Sequence, residues 1–240
     1  MHGQSMMDTL RELCRNGPVV LFGSANRPED FSRYFSDVNV LALGSRRVSS
    51  VNGRISLVQM DPDALANRCY YGDPLCIWLI KDSKALCGSL PELKFIVTTW
   101  TIDSIKQLIL NNVALMYENV MLGNSSWALN NAYHAVKLTI ILRVIEAPTL
   151  RDLELARLIN GELSKLLLRL HELRILGGGI NEEDADEVAG EVGAAIGVRL
   201  PTVSRVREGT IGNPYASIQC DNYGCLTFNS SEEPWDYYYL

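Results

Sequence analysis

The chain has no apolar run approaching the roughly 20 residues that a membrane-crossing helix needs. Its longest runs, such as Leu138 to Leu142, stop far short. It has no surplus of positive charge either, since 22 Lys and Arg stand against 28 Asp and Glu, a net charge of −6. Covering a long stretch of phosphates takes a local excess of cations, so extended nucleic acid is not an expected partner, and neither is a membrane. No uninterrupted hydrophobic stretch opens the sequence, because Asp8, Arg11, Glu12 and Arg15 break up Met1 to Asn16. A secretory leader is therefore not read there, and the cytoplasm is the expected location. The six cysteines, at positions 14, 69, 76, 87, 220 and 225, form no C-x-x-C pair and no Cys/His group with zinc spacing. Buried thiols are the expectation for most of them; only Cys220 and Cys225 are spaced to close a small disulfide loop or join a metal site.

What is present reads as two styles of chain. Residues 6 to 16 carry Leu10, Leu13 and Cys14 at helical spacing and stop before Gly17. Pro18 to Phe22 is a compact apolar run of the kind buried on both faces of a sheet, and Val38 to Leu43 and Arg54 to Met60 repeat it. Asn52-Gly53 is a turn signal that would fold the chain back and pair neighbouring strands. Asp61-Pro62-Asp63 is a helix start: a capping carboxylate, a proline with φ already set, and an acid favoured by the helix dipole. That helix should stop at Gly72, Asp73-Pro74 should open another through Ile80, and Lys84 to Cys87 fits one more short strand.

Beyond Pro91 the apolar period lengthens to that of a helix. Stripes run through Ile102, Ile105, Leu108, Ile109, Val113 and Met116; through Leu129, Ala132, Tyr133, Val136, Ile140 and Val144; and through Leu153, Ala156, Ile159, Leu163, Leu166, Leu170 and Leu173. Three long amphipathic helices, broken at Gly123-Asn124 and Ala147-Pro148, imply a bundle. Gly177-Gly178-Gly179 reads as a flexible joint, Glu182 to Glu191 as a further helix, and residues 199 to 240 as loops and short strands. The expected fold is α+β: a mixed sheet flanked by helices over 1–95, an all-α bundle over 96–176, and a C-terminal helix plus irregular segment over 177–240.

The stretch that bears on chemistry is Val19-Val20-Leu21-Phe22-Gly23-Ser24, followed a dozen residues later by Asp37-Val38-Asn39-Val40. It resembles the signature of the polymerase-beta-type nucleotidyltransferase superfamily, in which an apolar strand delivers Gly-Ser and an acid-apolar-acid triplet follows. Glycine lets backbone N–H groups approach a triphosphate closely, and acids two apart on a strand face the same way and can share Mg²⁺ ions. The resemblance implies a cleft in which Gly23, Ser24 and Arg27 hold the nucleotide, Asp37 and Asn39 hold metal, and Asp37 is the catalytic acid. The cofactors implied are Mg²⁺ and a nucleoside triphosphate. The pattern departs from the family twice, since Asn39 stands at the second acid and Ser56 aligns with the third. One acid of three remains, so weak or absent catalysis is expected, with Asp61 or Asp63 as the carboxylates that would have to swing in. Tyr70 to Leu75 and Leu79 to Gly88 extend the likeness to small prokaryotic and archaeal members.

The helical part is similar, through Asn130 to Lys137, to the HEPN bundles paired with such domains. Ribonucleases of that family need an Arg with a His four to six residues downstream, and His134 and His171 have none, so RNA cleavage is not expected. Three functions follow from the resemblance: a degraded nucleotide-binding module, an active Mg-dependent nucleotidyltransferase modifying a protein or small molecule, and a scaffold of toxin–antitoxin type. A protein partner or homodimer through the helical part fits each.

Overall fold

The structure is a computed structural model and describes residues 6–44, 55–210, 217–221 and 224–229. Its packing divides into two compact units, Met1–Ser104 with Pro148–Arg151, and Ile105–Ala147 with Asp152–Leu240.

The first unit is α+β. Helix α1 (Met6–Asn16) leads into β1 (Val19–Phe22), a 3-10 turn (Gly23–Asn26), β2 (Val38–Leu43), β3 (Ile55–Met60), α2 (Pro62–Tyr70), α3 (Leu75–Asp82) and β4 (Ser83–Cys87), and α4 (Thr99–Met121) begins here. The sheet order is β3-β2-β1-β4, with β1 antiparallel to both β2 and β4. Strands β2 and β3 run parallel, whereas the Asn52-Gly53 signal implied a fold-back; those two residues lie outside the described ones. Parallel neighbours cannot be joined by a tight turn and need a crossover of about a dozen residues, which is close to the length of 44–54.

Alternation along the two central strands sends side chains to both faces. Val20, Phe22, Leu41 and Leu43 meet Leu65 and Cys69 of α2 and Leu75, Cys76 and Leu79 of α3. Val19, Val40 and Ala42 meet Leu13 of α1 on the other face. The helix starts form as their residues dictate: Asp61 Oδ1 accepts from the Asp63 N–H at 2.9 Å with Pro62 opening α2, and Asp73 Oδ1 accepts from the Leu75 N–H at 2.9 Å.

The cysteines depart from expectation. Cys14 is bonded to Cys87, tying α1 to β4, and Cys69 to Cys76, tying α2 to α3. Their Cα atoms lie 5.9 and 5.4 Å apart, within the usual range for a disulfide. Neither pair is announced by sequence spacing, because tertiary packing sets both distances. In the chain-entropy picture, closing loops of 73 and 7 residues is worth roughly 4 and 2 kcal/mol. The side chains of Cys220 and Cys225 lie outside the described residues.

The second unit holds the rest of α4, then α5 (Ser125–Arg143), α6 (Asp152–Leu158), α7 (Glu162–Leu176), α8 (Glu182–Ile196), α9 (Val203–Thr210) and a hairpin of β5 (Ser217–Asp221) with β6 (Gly224–Asn229). Helix α5 is buried on nearly every side from Ala128 to Ile141, so it is the core of the unit rather than a one-faced helix. The third predicted stripe is two helices. Gly161, at φ +112°, breaks it and resets its phase, leaving Leu153 half exposed and putting Leu155 in the core. Helix α9 replaces part of the expected irregular tail; the Val203 N–H donates to Asp186 Oδ1 at 2.6 Å, and Tyr117 O–H donates to the Pro201 carbonyl. Among the described residues no helix is long and apolar enough to cross a membrane.

The triple glycine is a tight joint and not a flexible one. The Gly178 N–H donates to the Leu173 carbonyl at 2.8 Å, the Ile180 N–H to the Ser125 carbonyl at 3.2 Å, and a Cβ on Gly179 would lie 2.5 Å from Ser125 Oγ and 2.8 Å from its Cβ. Alanine in a slack linker stabilises by about 0.4–1 kcal/mol. Gly179→Ala is expected to do the reverse, lowering urea-unfolding stability by about 1–3 kcal/mol; the sign of the change separates the two descriptions.

Candidate functional site

The Gly-Ser turn is anchored at both ends. Asn26 Nδ2 donates to the Leu21 carbonyl at 2.8 Å and to the Asp82 carbonyl at 2.9 Å, tying the turn to the end of α3. Gly23 sits at φ +78°, and a Cβ there would lie 3.0 Å from Asn39 Nδ2. Glycine is thus favoured by the positive φ, and any Cβ there would crowd the Asn39 side chain. The same contact places the turn directly against Asn39, the last residue of the Asp-x-Asn pattern.

Register aligns the other two positions. Phe22 pairs with Asn39, and Asn39 pairs with Ser56, so the residues aligned with the second and third acids stand side by side on parallel strands. They share the sheet face of Leu41 and Val20, the one covered by α2 and α3. Asp37 is exposed and precedes β2 by one residue. The structure therefore brings together Gly23, Asn39 and Ser56, with Asp37 and Ser24 adjoining them along the chain.

One expectation about this end of the sheet fails, and the capping reading of Asp61 holds. Arg27, expected to meet phosphate, is 4% exposed. Its Nε donates to Asp30 Oδ2 at 2.7 Å and its Nη1 to Asp82. With two buried carboxylates already around its charge, Arg27 has a structural role, and a phosphate placed on it would meet both of them. Asp61 and Asp63 cannot substitute for the missing acids. They follow the far end of β3, five and seven residues beyond Ser56, with Asp61 about 16 Å away along an extended strand and engaged in capping α2.

Sequence reasoning missed a polar cluster inside the second unit. Asp152, fully buried, receives Lys137 Nζ on Oδ1 at 2.5 Å and Tyr133 O–H on Oδ2 at 2.7 Å, and His171 Nδ1 lies 2.8 Å from Oδ2. Arg174, 3% exposed, donates from Nε to Asn130 Oδ1 at 2.9 Å and lies 4.4 Å over the Tyr133 ring. Burial alone would raise the Asp152 carboxyl. The Lys137 charge and hydrogen bonds from His171, Lys137 and Tyr133 outweigh it and hold the group well below the usual carboxylate range. Both oxygens accept hydrogen bonds from neighbouring helices, so the cluster ties α5, α6 and α7 together. The sequence signal was Lys137 and Arg174 lying on otherwise apolar helix faces. His134, half-buried and edge-on to Tyr133, has its pKa pushed down to about 3 by burial and by Arg174 and Lys137, against the opposing pull of Asp152.

Neither a scan against protein-family models nor a search of curated proteins finds a match to this chain.

Two outcomes are expected. Removing the cation in Arg27→Met strands two buried carboxylates and should cost about 3–5 kcal/mol, measured by denaturant unfolding. The pH dependence follows from His134, whose folded pKa lies below its unfolded value near 6.5. Its contribution is intact above pH 6.5 and is lost as pH falls toward 3, amounting to a loss of up to about 2 kcal/mol by pH 5. Unfolding curves at pH 7, 6 and 5 should show that decline, and His134→Gln should flatten it.

Proposed function

We propose that the first unit is a nucleotidyltransferase-like module that binds a nucleoside triphosphate weakly and retains little or no catalysis. The observation that carries this reading is the in-register pair Asn39 and Ser56 beside the Gly23 turn. The resemblance puts carboxylates at both positions, and this chain has neutral side chains there. Mg²⁺ gives up its water reluctantly and is normally held by one or two carboxylates plus phosphates. Asp37, with the neutral oxygen of Asn39, supplies the lower end of that range. Replacing a metal-bridging carboxylate costs several kcal/mol of transition-state charge stabilisation, on the order of a thousandfold in rate. Full transferase activity is therefore the weaker reading, and the geometry of Asp61 and Asp63 removes the substitution that would have rescued it.

A partner-binding role for the helical unit is the second reading, in line with the HEPN likeness and a regulatory scaffold. Its support is Leu122, Trp127 and Leu176, exposed by 67, 57 and 70%. They lie at the α4–α5 turn and at the end of α7, which the Ile180–Ser125 hydrogen bond brings to the start of α5. A second copy of the chain is the proposed occupant; the two disulfides favour an oxidising compartment over the cytoplasm expected from the sequence.

Calorimetry on the full chain with ATP, GTP, CTP and UTP, with and without Mg²⁺, tests the first reading. Weak metal-dependent binding is expected, lost in Asp37→Ala and tightened at least about tenfold in Asn39→Asp/Ser56→Asp, where the carboxylates are restored. No binding by either the native chain or a folded double variant would sink it.

A further inference from the structure

The two disulfides differ in access. Cys69 and Cys76 are both fully buried, within the core between the sheet and helices α2 and α3. Cys14 and Cys87 are each only half-buried, and Cys14 forms part of the wall of a cavity of about 440 Å³ lined by Leu10, Arg11, Cys14, Arg15 and Leu86. Four of those residues belong to α1, so two arginines and one disulfide cysteine line the same concavity. The acids of the same helix, Asp8 and Glu12, do not line it. Among the described residues Arg11 is paired with Asp8 at 3.6 Å in a long, exposed ion pair, which screens its charge weakly.

We propose that this cavity is a thiol-exchange site for small anionic thiols. A sulfur attacked as a disulfide must be reachable by the incoming thiolate, and of the two half-buried cysteines it is Cys14 that lines the cavity. Arg11 and Arg15 raise the local concentration of a negatively charged thiol and favour thiolate over thiol. The incoming thiolate forms a bond to Cys14 Sγ as the Cys14–Cys87 bond breaks, and the electron pair leaves on Cys87, whose thiolate takes a proton from water. A second thiolate then attacks the external sulfur of the mixed disulfide. It releases Cys14 as thiolate and carries away the oxidised dimer of the small thiol. The net result is one protein disulfide reduced and two small thiols oxidised. The bond between α1 and β4 opens, while the bond between α2 and α3 stays closed.

The test uses the full native chain with three small thiols at equal thiolate concentration: mercaptoethanesulfonate, which is anionic; 2-mercaptoethanol, which is neutral; and cysteamine, which is cationic. Exchange is stopped by alkylation, and the bonds are located by peptide mass mapping. The anionic thiol is expected to open Cys14–Cys87 about tenfold faster than the neutral one and faster still than the cationic one. The first adduct should be on Cys14, and Cys69–Cys76 should remain intact. In Arg11→Gln/Arg15→Gln, the anionic preference should collapse while the neutral-thiol rate changes much less; that second rate also reports whether the variant keeps its fold. Equal rates for all three thiols, a first adduct on Cys87, or earlier loss of Cys69–Cys76 would each overturn the proposal.

Discussion

Strand β1 is paired on both sides and covered on both faces, and the other elements of the first unit take their positions from that enclosure. Four residues, Val19 to Phe22, have no way to satisfy their backbone except through β2 and β4, nor to bury their side chains except against α1 on one face and α2 with α3 on the other. A one-residue slip would exchange the two faces. It would carry Phe22 away from Asn39 and pull Gly23 out of contact with β2. The candidate site thus depends on hydrophobic register before it depends on any polar group.

The sheet and its flanking helices were legible because each carries a local signal. Apolar runs of strand length, the Asp-Pro helix starts and the amphipathic stripes all act over a few residues, so they can be read without knowing the tertiary structure. Val38–Leu43 and the cap at Asp61 were read in place for that reason. The direction of β3 was not, because Asn-Gly signals a turn and says nothing about a crossover. The third helical stripe was misread as continuous because Asn160-Gly161 is a weak break inside a strong period, and only the backbone at Gly161 shows the phase change that moves Leu155 inward.

Charged residues were harder to place than apolar ones. Arg27, Lys137 and Arg174 are long side chains that most often lie in solvent, and sequence gives no sign of the carboxylate that would draw one inside. Asp82 lies 55 residues from Arg27, and Asp152 lies 15 from Lys137. The disulfides fail to show for the same reason, their partners being chosen by how α1 meets β4 and α2 meets α3. At the candidate site, by contrast, the strand pattern was enough to anticipate that Gly23, Asn39 and Ser56 adjoin one another. What it misjudged was the environment of Arg27 four residues on from Gly23.

The anchoring of the Gly-Ser turn has a bearing on how any ligand would be received. Asn26 and Arg27 hold the segment to Asp30 and Asp82 from inside the protein, so its backbone is fixed by the protein's own hydrogen bonds. A flexible phosphate loop spends part of a ligand's interaction energy on being organised. The Gly23–Asn26 segment is held in one conformation by those bonds, so any group that meets it finds a rigid outline and not a loop able to reshape itself.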